Sequence, residues 1–149
     1  MSDNKLQPPA VVPDILCSIC VANYNGMDVI DDCLQSILTQ EGNVSSEIIV
    51  HDDASTDGSA DHVAAHYPQV QLIRSPINIG FCASNQRMAS RARGQYLLLL
   101  NNDAALFPDA LVTLLNEARN HAKPVIITMP QYDAGSGTLI DRGLRLDPF

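Results

Sequence analysis

Residues 94–111 read GQYLLLLNNDAALFPDAL, and the fold turns on how this stretch is taken. Gly94 breaks the chain, and Tyr96 to Leu100 is an apolar run of strand length with no polar alternation. That pattern predicts a strand buried on both faces. Asn101, Asn102 and Asp103 follow at once, and Pro108 suits the first turn of a helix whose stripe is Leu111, Leu114, Leu115 and Ala118. A buried strand, a polar break and a helix make up one half of a βα unit.

The same alternation runs outward in both directions. Ile15–Ala22 (ILCSICVA) and Glu47–Val50 (EIIV) are strand-length apolar runs, as are Val70–Ile73 and Pro124–Met129 (PVIITM). Between them, Val29, Ile30, Cys33, Leu34, Ile37 and Leu38 recur at helical spacing. Ala60, Val63 and Ala64 fit a short helix capped by Ser55 or Asp57, and Phe81–Ala92 a small-residue helix. Five strands alternating with helices predict an α/β fold with a mostly parallel sheet covered by helices on both faces. After Met129 the pattern weakens toward a hairpin, and no closing element follows, so the domain is expected to be incomplete at its C-terminus. Residues 1–14, with three prolines, read as a flexible tail ahead of one domain over 15–149.

Bulk properties narrow the function. The chain has 149 residues, enough for a core without disulfide or metal staples. A formal charge of −8 argues against a nucleic-acid surface. It also means that a phosphorylated ligand would need a divalent cation. Cys17, Cys20, Cys33 and Cys82 show no secreted-disulfide pattern, and no apolar run approaches a membrane span. A cytoplasmic setting is expected, compatible with peripheral association at the inner face of the membrane.

Open α/β sheets bind ligands beyond the carboxyl ends of their strands. Three polar clusters fall there: Asn23-Tyr24-Asn25, His51-Asp52-Asp53 and Asn101-Asn102-Asp103. Tyr24 offers a flat face for a nucleobase, and Asp52 or Asp53 an acceptor for a base N–H or ribose hydroxyl. Asp103 supplies a hard oxygen for Mg²⁺ or Mn²⁺, which often take one or two carboxylates plus substrate phosphates. Other motifs carry less. His62 and His66 have zinc-helix spacing, but Val63 stands where a glutamate is needed. Cys17 and Cys20 on a strand point to opposite faces. Gly135-Ser136-Gly137 lacks a dinucleotide-binding context. Arg87, Arg91 and Arg93 form either a solvated, ion-paired face or a contact to a diphosphate, and His51 is either a core residue or a ligand contact.

Taken in order, ICVANYNG, IIVHDDASTDGS and NIGFCASNQRMASRARGQYLLLLNNDAALFPDAL resemble the nucleotide-binding half of family 2 glycosyltransferases, over about Ile15 to Asn120. The resemblance implies the Rossmann-like GT-A fold and an inverting transfer from a UDP- or TDP-sugar to a glycan, lipid-linked or protein acceptor. It places Tyr24 at the base-stacking aromatic with Ala22 beside it, and Asp53 at the acid that reads the pyrimidine, with Asp52 next to it. Asn101-Asn102-Asp103 takes the position of the DXD motif, Asp103 being the metal-binding acid and Asn102 a ribose or phosphate contact. Asn101 replaces the first acid. That variant and IDRGLRLDPF look like the rhamnosyltransferase-like branch, which implies a role in bacterial polysaccharide assembly. Gly80 is expected to allow close ligand approach. The family's catalytic base lies well after the DXD position and is expected beyond Phe149, so these residues are expected to bind donor only. A nucleotidyltransferase of related topology and a non-catalytic GT-A-like interaction module are the competing readings.

Overall fold

The computed structural model describes residues 15–142. The expected tail over 1–14 and the last seven residues of IDRGLRLDPF lie outside them. Four strands form one all-parallel sheet: β1 (Cys17–Asn23), β2 (Ser46–Asp52), β3 (Gln71–Arg74) and β4 (Tyr96–Asn101), in the order β3-β2-β1-β4. The helices between them are α1 (Ile30–Leu38), α2 (Ser59–His66) and α3 (Phe81–Ala89), and α4 (Ala110–Arg119) follows β4. The chain winds from β1 to β3 in one direction and then crosses back to lay β4 on the far side of β1. Strand order therefore reverses between β1 and β4, where such sheets open a crevice at their carboxyl ends.

Period-two alternation sorts the core. Cys20, Ile49 and Ile73 meet Met88 of α3 on one face. Ile19, Val21, Ile48 and Val50 are buried on the other, where α1 contributes Ile30, Cys33, Leu34 and Ile37 and α2 contributes Ala60 and Val63. Tyr67 and His62 both bond to Asp31 Oδ1, at 2.6 and 2.8 Å, tying α2 to α1. His62 thus holds a carboxylate, and no metal-type cluster of three His, Cys, Asp or Glu occurs among the described residues. The Cys17 and Cys20 thiols are buried, and burial pushes each up to about 11, so they are core groups and inert at neutral pH.

Two strands differ from expectation. Among the described residues β4 is an edge strand, pairing with β1 alone, and Leu97 and Leu99 are about half exposed (46% and 50%). An unbroken apolar run signals a strand without saying how many neighbours it has. Pro124–Met129 forms no strand, and Ile126 is exposed. The prolines at 124 and 130 donate no backbone hydrogen bond, and a strand needs a ladder partner as well as hydrophobicity. By its internal contacts the chain divides after Val112 into two compact units. The second holds an antiparallel hairpin, β5 (Gln131–Tyr132) with β6 (Leu139–Asp141). Its Gly-Ser-Gly is the hairpin turn, where Asp133 Oδ1 accepts from the Ser136 amide and hydroxyl at 2.8 and 2.7 Å. Among the described residues no helix is long and apolar enough to cross a membrane.

One buried amide joins the strand ends. Asn23 Nδ2 donates to Asp52 Oδ1 at 3.0 Å and to Ser59 Oγ at 2.9 Å, while its Oδ1 accepts from Asn102 Nδ2 at 3.0 Å. A Cβ on Gly26 would lie 2.3 Å from both atoms of that last bond. Gly26→Ala is therefore expected to break it, and Asn23→Ala to leave Asp52 short of a buried partner. Each should cost on the order of 2–3 kcal/mol, roughly 5–10 °C in Tm by thermal unfolding. A variant melting with the wild type would remove Asn23 from this role.

His51, fully buried on the α3 face of β2, has no partner for either ring nitrogen. Burial pushes its pKa below the ordinary histidine value. Arg87 and Arg91 push the same way, and Asp53 and Asp52 oppose them. The unfolded chain therefore binds the proton more readily, and stability falls as pH drops below the unfolded value of about 6.5. Denaturant unfolding between pH 5 and 7.5 should show this slope, at most about 1.4 kcal/mol per pH unit, and His51→Met should flatten it.

Candidate functional site

The crevice predicted by the strand order is present as an open cleft of ≈ 510 Å³. β1 supplies Ala22 and Asn23, with Tyr24 directly after; Asp53 follows β2; Asn101, Asn102 and Asp103 end β4. The structure thus brings together seven of the eight expected site residues: Ala22, Tyr24, Asp53, Gly80, Asn101, Asn102 and Asp103. Asp52 is placed elsewhere. It is still within β2, in register with Asn23, so its side chain falls on the opposite face from Asp53. There Oδ1 accepts from Asn23 and Oδ2 from the Ser55 amide at 3.1 Å, leaving Asp52 buried behind the cleft floor.

Asp53 has a second task beside facing the cleft. Its Oδ1 accepts from the Ile79 amide and its Oδ2 from the Gly80 amide, both at 2.8 Å. These bonds hold the loop before α3 against β2. Gly80 has φ 84° and ψ 160°, a conformation essentially confined to glycine. A Cβ there would meet no protein atom within 4 Å, so within the protein it is the backbone angle that demands glycine. Ala54, beside Asp53, is also at positive φ (64°), strain stored next to the cleft.

Tyr24 is held by its neighbours. Asn25, at φ 50°, donates its amide to Ser55 Oγ at 2.9 Å and accepts the Thr56 amide at 2.8 Å. Asp57 Oδ2 takes the Met27 amide at 2.8 Å, and Asp57 Oδ1 takes the Ser59 amide at 3.0 Å. Burial raises the Asp57 carboxyl, but these bonds outweigh it and hold the pKa below the usual range. Asp57 is thus the side-chain acceptor at the start of α2, whose N-cap residue is Gly58. The Tyr24 ring itself is 53% exposed.

The segment after β4 is clamped from α1. Cys33 Sγ donates to the Asn101 carbonyl at 3.5 Å, and Ser36 Oγ accepts from the Leu106 amide at 3.0 Å. Gln40 Nε2 donates to the Phe107 carbonyl at 2.7 Å and its Oε1 accepts from the Leu111 amide at 2.9 Å. Asn102 is fixed by Asn23. Asp103 is exposed and has no hydrogen bond or ion pair within the described residues, so its carboxylate is available to a ligand.

Four lining residues stand outside the eight expected: Asn23, which the sequence placed only in a polar cluster at this edge, and Asn78, Phe81 and Ser84. Phe81 is a second aromatic beside Tyr24 and is 58% exposed, an outward placement that core packing does not explain. Its position just after Gly80, at the start of α3, was the available signal. Among the described residues no lysine or arginine lines the cleft. Arg93 is at the other end of the sheet, bonded to Glu47 Oε2 at 2.7 and 3.0 Å, and Arg87 donates to Ser75 Oγ at 3.3 Å.

The succinoglycan biosynthesis protein ExoO of Rhizobium meliloti is 36% identical over 116 residues, 76% of this chain and 32% of that protein. The abequosyltransferase RfbV of Salmonella typhimurium is 31% identical over 67% of this chain and 32% of its own length. Among solved structures, S. aureus TarS 1–349 in complex with UDP superposes with a TM-score of 0.73 at 21% identity, covering 83% of this chain and 38% of that one. The mannosyltransferase PcManGT of Pyrobaculum calidifontis, in complex with GDP-Man and Mn²⁺, gives 0.61 at 26% identity, covering 72% and 32%. The chain thus spans about a third of the length of these curated relatives, and its sheet is of the GT-A type. The model of glycosyl transferase family 2 matches residues 18–146, and the chain belongs to that family.

Proposed function

We propose that this chain is the donor-binding part of an inverting glycosyltransferase that takes its sugar from a UDP- or TDP-sugar and serves bacterial surface polysaccharide or glycoconjugate synthesis. One observation carries the reading: a cleft at the strand-order reversal gathers an aromatic face (Tyr24), a fixed carboxylate (Asp53) and a carboxylate without a hydrogen bond (Asp103), with no cationic side chain among the described residues. A diphosphate in such a cleft needs its charge neutralised from elsewhere. Asp103 with the Asn101 and Asn102 amides fits a Mg²⁺ or Mn²⁺ ion that takes its remaining ligands from phosphate and water. When bound, that ion stabilises the charge on the departing diphosphate. Solved relatives of this fold hold UDP, UDP-GlcNAc, or GDP-Man with Mn²⁺, which supports the ligand class.

The residues divide the work. Tyr24 packs against the base, and Asp53 accepts its ring N–H from a position fixed by the Ile79 and Gly80 amides. Asn102, oriented by Asn23, donates or accepts toward the ribose or phosphates. Among the described residues Asp53 and Asp103 are the only carboxylates lining the cleft, and both are engaged in this account. Deprotonation of an acceptor hydroxyl therefore falls to a base outside this set, and the described residues bind donor without turning it over.

Thermal-shift titration with UDP, TDP and GDP, each with and without Mn²⁺, tests the reading. One nucleotide should raise Tm in a metal-dependent way, and Asp103→Ala should abolish the metal dependence while preserving the fold. Absence of any shift would favour an interaction module, and metal dependence surviving in Asp103→Ala would move the ion elsewhere.

A further inference from the structure

Ser84 is 1% exposed and lines the cleft, yet its hydroxyl has no hydrogen-bond partner. Serines in helices commonly return the hydroxyl to a carbonyl one turn back, and Ser36 of α1 does so here, donating to the Cys33 carbonyl at 2.7 Å. Leaving such a group buried and unbonded is unfavourable, and ligand-contacting side chains are a recurrent reason for it. Its surroundings indicate the kind of ligand atom. Ser84 is one helical turn from Gly80, whose amide is bound to Asp53, so α3 carries the hydroxyl on the side of the cleft where that carboxylate is anchored. Tyr24 and Phe81 line the same cleft with exposed rings.

Resting on the donor-binding reading above, we infer that Ser84 and Asp53 together read the edge of the nucleobase, Asp53 accepting a ring N–H and Ser84 donating to the adjacent carbonyl. An ionised carboxylate can only accept, while a hydroxyl can donate. The pair therefore matches an imide-type edge, an N–H beside a C=O, as uracil, thymine and guanine present. Cytosine and adenine present a bare ring nitrogen beside an amino group. Their nitrogen lone pair would face the Asp53 carboxylate, and the amino group would leave the Ser84 proton without an acceptor. Ser84 is thus a specificity residue: it separates bases by which edge they offer, since a site built to hydrogen-bond discriminates strongly against an analogue lacking the partner.

Calorimetric titration of the full 149-residue chain in Mn²⁺ with UDP, GDP, CDP and ADP tests this directly. The tighter of UDP and GDP should exceed CDP and ADP by at least about tenfold, and Ser84→Ala should lose about tenfold for that nucleotide while leaving CDP and ADP unchanged. A thiocarbonyl accepts hydrogen bonds poorly, so 4-thio-UDP or 6-thio-GDP should bind the wild type several-fold more weakly than its parent, and Ser84→Ala should bind the two alike. This double comparison reads the contact even if the substitution softens the helix. Equal loss for all four nucleotides, or a thio penalty that persists in Ser84→Ala, overturns the role of Ser84 while leaving donor binding standing. Failure of all four to bind the wild type overturns both.

Discussion

The cleft depends on a single side-chain amide. Asn23 ends the central strand, and it is bonded to the ends of its neighbours on both sides: Asp52 of β2 and Asn102 after β4. An amide is suited to this position because it donates and accepts at once, so a carboxylate on one side and an amide on the other are both satisfied. A carboxylate in place of Asn23 would face Asp52 with like charge, and an apolar residue would strand both partners. Gly26 is the complementary constraint, since any side chain there would occupy the space the Asn23–Asn102 bond needs.

Around this link the loops are held mainly by side chains bonding to backbone amides. Asp53 holds the turn into α3, Asp57 and Asn25 cross-brace the loops after β1 and β2, and Ser36 and Gln40 of α1 hold the segment after β4. Nearly every polar group near the cleft is spent on shape. Among the groups left over, the Asp103 carboxylate and the Ser84 hydroxyl both line the cleft and can meet a ligand. Function in this molecule is therefore read from what the scaffold leaves unbonded.

Much of the architecture was legible in the sequence because parallel sheets write themselves as apolar runs separated by helical stripes. The four sheet strands and all three intervening helices fall where the periodicity places them, and the polar clusters gather at one edge as the topology requires. What escaped has identifiable physical causes. His51-Asp52-Asp53 reads as one polar cluster, but β2 continues through Asp52, and alternation sends Asp52 behind the sheet and Asp53 into the cleft. Leu97–Leu100 reads as a strand buried on both faces because hydrophobicity signals a strand without reporting the number of its neighbours. Pro124–Met129 is apolar enough for a strand, but the prolines at 124 and 130 donate no backbone hydrogen bond and the segment forms no strand. Ser84 could not be found in advance, since its significance lies in a missing partner, and only coordinates reveal that.

The reversal of strand order has a consequence for how such a site diverges. Tyr24, Asp53, Gly80, Phe81 and Ser84 belong to β1, β2 and the start of α3, whereas Asn101, Asn102 and Asp103 hang from the edge strand β4. The two groups are joined side chain to side chain through Asn23 and backbone to backbone along the β1–β4 ladder, and their loops are otherwise separate. Replacements in one group can thus accumulate with little disturbance to the other, so long as the amide bridge persists. The fold is in this sense modular within a single cleft, and descendants of one ancestor could retune either half of the pocket while inheriting the other intact.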